Sequence, residues 1–145
     1  MAPLLVLAVV TALTRLLGRL TGNAWLDSWP HSTALGLAAM FALTASAHFI
    51  QPKRDGLIAM VPAVFPNAAA MVTLTGVLEI AGAVGLLLPP FPRIAAVALL
   101  LLLLIMFPAN VRAAREDVGV QTMPLPLRAV VQVIFLGATA LVALS

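Results

Sequence analysis

Glu79 stands alone in its surroundings: between Ala68 and Leu88 no other side chain carries a charge. A charge at the centre of a membrane helix costs about 2.5–3.5 kcal/mol on insertion scales, so an acid kept there turns toward a bundle interior or a cavity. Thr75 and Gly76 precede Glu79 by about one turn and Gly82 follows it by one. Small residues on that face let a second helix or a ligand come close. Held away from water, the carboxyl is expected to be neutral and to donate a hydrogen bond. Bonding to another helix is the plain alternative to a chemical role.

Three further polar positions share that setting. His48 follows Thr44 by one helical turn, and an imidazole exchanges protons near neutrality, so His48 could relay a proton or hold a quinone or carbonyl oxygen. Gln132 follows Arg128 by four residues and lies deep enough in its segment to need a protein partner, for which Glu79 is suited. Pro108 removes a backbone donor from an apolar run, and Asn110, two residues on, is placed to satisfy the carbonyl so released. His48, Glu79, Asn110 and Gln132 are therefore the candidate ligand-binding residues. No metal site is expected: His31 and His48 are 17 residues apart, about 25 Å along a helix, and no HExxH or paired acidic motif is present.

Composition dictates what must position these groups. Of 145 residues, 63% are hydrophobic and 9% charged, with a mean hydropathy of +1.14, where soluble domains carry roughly 25% charge. A multi-pass protein of the cell membrane follows, with the bilayer as its first partner. Its length suits four or five spans of about 20 residues each. The net charge of +3 comes from Lys and Arg scattered singly or in pairs, so membrane topology accounts for them and nucleic acid is not expected. There is no cysteine, which removes any disulfide relay or thiol nucleophile supplied by this chain.

Five apolar segments cover residues 2–20, 32–50, 67–88, 93–113 and 126–144, all expected to be helices because lipid cannot satisfy open strand edges. The first lacks a basic leader and reads as a retained span, with Arg15 snorkelling to the headgroups, or else as an interfacial helix. "TGNAWLDSWPHS" and "QPKRDG" read as polar breaks, and "LIAMVPAVFP" as an apolar stretch too short to cross. Lys53, Arg54, Arg112, Arg115 and Arg128 fall on one side of the topology and Arg15, Arg19 and Arg93 on the other, which places the amino terminus in the cytoplasm.

Taken in order, "AMFALTASAHF", "AMVPAVFP", "TGVLEIAGAVGLLLP", "RIAAVALLLLLLIMFPANV" and "PLRAVVQ" resemble the DoxX-like family of small bacterial membrane proteins. The resemblance implies an all-α, integral membrane four-helix bundle over residues 32–145, with residues 1–31 adding an N-terminal transmembrane or interfacial helix and its loop. By motif it singles out His48, Pro62, Glu79, Pro108 and Asn110, with Gly76 and Gly82 as packing positions. It also implies a bacterial inner-membrane subunit of an oxidoreductase system that binds a quinone or similar lipophilic molecule. Electrons would then arrive from a soluble oxidoreductase partner or a bound organic cofactor. A non-catalytic anchor or assembly module, self-associating or holding another protein, is the alternative. A transporter is disfavoured, because so few intramembrane polar groups hardly line a route.

Overall fold

The computed structural model describes residues 1–116 and 123–145. Six helices make up the described chain: α1 (Ala2–Thr21), α2 (Trp29–Ala47), α3 (Lys53–Met60), α4 (Ala68–Leu87), α5 (Pro92–Arg115) and α6 (Leu125–Leu144). Among the described residues, four of them, α1, α4, α5 and α6, are long and apolar enough to cross a membrane. α2, α4, α5 and α6 close into a ring, α2 touching α4 and α6 while α5 bridges the same two helices from the far side. α1 packs along the outside of α2, and the short α3 lies beneath α4 and α5. The result is a four-helix bundle with an added N-terminal helix.

Local sequence explains most of the boundaries. Ser28 is extended at the N-cap of α2, and Pro30 occupies its second position, where a missing N–H costs nothing. This moves the start of α2 three residues ahead of the expected 32 and puts the anticipated boundary at residues 31/32 inside a helix. The end moves as well, to Ala47, so His48 sits in the turn after the helix. "QPKRDG" is not a loop: Pro52 caps α3, and Asp55 lies in its first turn, where the helix dipole favours an acid. "LIAM" completes that helix, which is too short to cross, as expected. Asn67 caps α4 by accepting from the Ala70 N–H at 3.0 Å. Pro124 and Pro126 flank the first residue of α6. Of the polar loop before it, residues 117–122 lie outside the described set.

α2 falls outside the apolar set for a reason its packing supplies. Nine of its 19 residues are buried, Ser32 and Thr33 among them. The Ser32 hydroxyl is satisfied within the chain, Oγ donating to the Ser28 carbonyl at 2.7 Å. α1, in contrast, buries Leu7 and Gly18 and shows Leu5, Val9, Leu13 and Leu20 outward, a surface suited to lipid. Gly36 lets the two helices meet, since a Cβ there would run into Thr11 and the Leu7 carbonyl.

Arg15 has partners within the chain that the sequence did not name: its guanidinium bonds Asp27 at 2.9 Å, lies over the Trp29 ring at 4.1 Å and is only 13% exposed. Arg19 bonds the same carboxylate at 3.2 Å. Gly22, left-handed at φ 70°, turns the chain so that Asp27 comes back over the end of α1.

Candidate functional site

Glu79 lies at the middle of α4 and is 4% exposed, and His48, on the turn that ends α2, is 3% exposed. Gly76 permits the meeting, because a Cβ on it would stand 2.6 Å from the His48 Cβ and 2.9 Å from the Phe49 ring. Gly82, one turn after Glu79 on α4, makes room for the Leu99 side chain of α5. The two glycines thus draw α2 and α5 onto the flanks of Glu79.

The hydrogen bonds fix how the imidazole is used. His48 Nδ1 is 2.8 Å from the Val72 carbonyl and 3.1 Å from the Thr75 hydroxyl. A carbonyl can only accept, so Nδ1 carries a proton and Nε2 is left facing Glu79 Oε1 at 3.5 Å. The other carboxyl oxygen, Oε2, is 2.7 Å from Thr44 Oγ1. Thr44 also lies 3.1 Å from the Phe41 carbonyl, and its one hydroxyl proton serves a single acceptor at a time. When that proton goes to Phe41, Thr44 accepts from a protonated Glu79; when it goes to Glu79, the carboxylate accepts. Glu79 therefore has partners in both protonation states, as a group that takes up and gives back a proton requires. Arg54 steadies the turn by donating to the His48 carbonyl and to Thr73 Oγ1, the latter at 3.0 Å.

His48, Glu79, Asn110 and Gln132 line one cavity of about 370 Å³, within the range of small-molecule sites. Its walls are apolar, with Met40, Phe41, Leu103, Met106 and Phe135 among them. The partners inside it differ from those expected. Gln132 Nε2 bonds the Leu103 carbonyl at 2.9 Å, not Glu79. Asn110 does not mend the backbone at Pro108, which lies within an uninterrupted α5; its Oδ1 accepts from Arg128 Nη1 at 2.7 Å. Pro62 stands away from the cavity, in the turn after α3, where the preceding Val61 carbonyl accepts from Arg112.

Thr44, Thr75 and Arg128 complete the site, and only weak signals pointed to them. Thr44 shares a helical face with His48, and Arg128 shares one with Gln132, but threonines in apolar helices commonly bond their own backbone. A second hollow, about 540 Å³, opens at the opposite end of the bundle beside Trp25, His31, Pro90 and Arg93. Its polar groups are already engaged: Arg93 with the Ser145 carbonyl, and His31 with the Trp25 carbonyl and ring.

No curated protein and no solved structure matches the chain. A family model described as "Domain of unknown function (DUF8561)" matches residues 37–143, a span that takes in His48, Glu79, Asn110, Arg128 and Gln132 and leaves α1 outside. The chain belongs to that family.

Proposed function

We propose that the bundle binds a quinone or similar lipophilic small molecule, and that the chain serves as a bacterial inner-membrane subunit of an oxidoreductase system of the DoxX-like kind. One observation carries the reading: a buried acid and imidazole, each with further hydrogen-bond partners, face each other on the wall of a largely apolar cavity. An apolar ring fits the Met40, Phe41 and Phe135 walls. A ring oxygen can take a hydrogen bond from Glu79 in its neutral form, and the His48–Glu79 pair can supply or receive the proton that accompanies reduction or oxidation of such a ring. The electrons themselves come from a partner protein or a bound organic cofactor.

The test is native mass spectrometry and solvent extraction of the purified protein, wild type and Glu79→Gln. The expected result is a quinone in near-stoichiometric amount on the wild type. Absence of any retained lipophile, together with failure to take up added quinone, would leave anchoring or assembly of another protein as the better reading.

A further inference from the structure

Among the described residues two buried side-chain polar atoms have no hydrogen-bond partner, Thr11 Oγ1 and Arg128 Nε. The first is a hydroxyl wedged between α1 and α2. The second belongs to a guanidinium that lines the cavity. Arg128 has Asn110 on one terminal nitrogen and no carboxylate among the described residues, whose ion pairs are Arg15 and Arg19 with Asp27, His48 with Glu79, and Arg112 with Glu116. Arg cannot discard its proton to escape this situation. A buried donor left unmade costs about 1–3 kcal/mol, and more for a charged group.

Among the described residues, Arg128 therefore lacks an anionic partner. Among the described residues the ionisable side chains of the lining are Lys53, Arg128, Glu79 and His48, so even with Glu79 ionised and His48 neutral the lining stays positive. A neutral carbonyl would leave the charge of the guanidinium uncompensated, whereas an oxyanion meets it, and the planar guanidinium fork suits one.

We infer that the cavity takes an amphiphile with one anionic oxygen head, a carboxylate or an acidic ring hydroxyl, seated on Arg128, with its apolar body along Met40, Phe41 and Phe135. This rests on the cavity being a ligand site. It adds a charge requirement and a recognition residue to that reading.

The experiment measures binding to the purified full chain in nanodiscs of phosphatidylcholine. Two matched pairs of probes are used: oleate with methyl oleate, and an alkylated 2-hydroxynaphthoquinone with its methyl ether. Each acid should bind at least about tenfold tighter than its ester or ether, the worth of one charge-assisted hydrogen bond. The tighter of the two acids tells a fatty-acid ligand from a ring ligand. Arg128→Gln should abolish the preference for acid, and Arg128→Lys should keep most of it, which guards against a glutamine variant that merely misfolds. Equal binding of acid and neutral probe to the wild type would overturn the inference while leaving a lipophile site intact. Binding unchanged by Phe41→Trp, which fills the cavity, would place the probes elsewhere and sink both readings.

Discussion

Arg15 and Arg128, at the two ends of the bundle, are held in opposite ways. At the end that holds Arg15 and Arg19, Asp27 accepts from both guanidinium groups and Trp29 covers one of them; the adjacent Arg93 and His31 also have partners. At the other end Arg128 has an amide, an empty donor and a cavity beside it. A cation neutralised within the chain braces the chain. A cation that lines a hollow without a carboxylate, as Arg128 does, keeps its charge available to whatever fills the hollow.

That contrast can be broken by substitution. The largest effect is expected from Gly76→Leu, which drives a side chain into His48 and Phe49 and separates α2 from α4 at the cavity. The cost should reach about 3 kcal/mol, the upper range for overpacking, seen as a lowered midpoint in thermal unfolding in detergent. An unchanged midpoint would mean that α2 and α4 are not held as close as described.

Glu79→Leu should come next, at about 1–3 kcal/mol, because the buried Nε2 of His48 loses its partner. Glu79→Gln, which keeps size and hydrogen bonding, should unfold near the wild-type midpoint but lose proton-linked activity. If the leucine variant folds and works as well as the wild type, the cluster has neither a structural nor a chemical role. Asp27→Asn should matter least, under about 1 kcal/mol, since Asp27 is 33% and Arg19 64% exposed and exposed pairs contribute little. It should leave ligand binding untouched. Weakened binding in this variant would show the two ends to be coupled and remove the contrast.

How much of this was legible in the residues follows from what each signal measures. Glu79, His48, Asn110 and Gln132 stood out because a polar group in an apolar run has a high cost wherever it points, and the four do share one cavity. Their partners were not legible. Whether Gln132 reaches Glu79 or the Leu103 carbonyl depends on how α6 is rotated against α5, which neither helix encodes alone. The Arg128–Asn110 pair was hidden for the same reason, the two residues being 18 apart in sequence and on different helices. The partner of Arg15 was not legible either, because a lone arginine near a helix end reads simply as snorkelling and it is the turn at Gly22 that delivers Asp27 to it. α3 was misjudged at its start because prolines and charges suggest a break, yet the same residues suit a helix's first turn.

The polar character of α2 has a consequence for how the protein is made. The hydroxyl groups of α2 and the histidine in its first turn find a better surrounding in the packed bundle than in lipid alone. α1 precedes it in the chain, is strongly apolar, and meets it through the notch at Gly36. During synthesis the two can enter as a hairpin, the first helix shielding one flank of the second until α4 and α6 arrive to cover the rest. On this account the outermost helix of the finished protein is an escort for the innermost one.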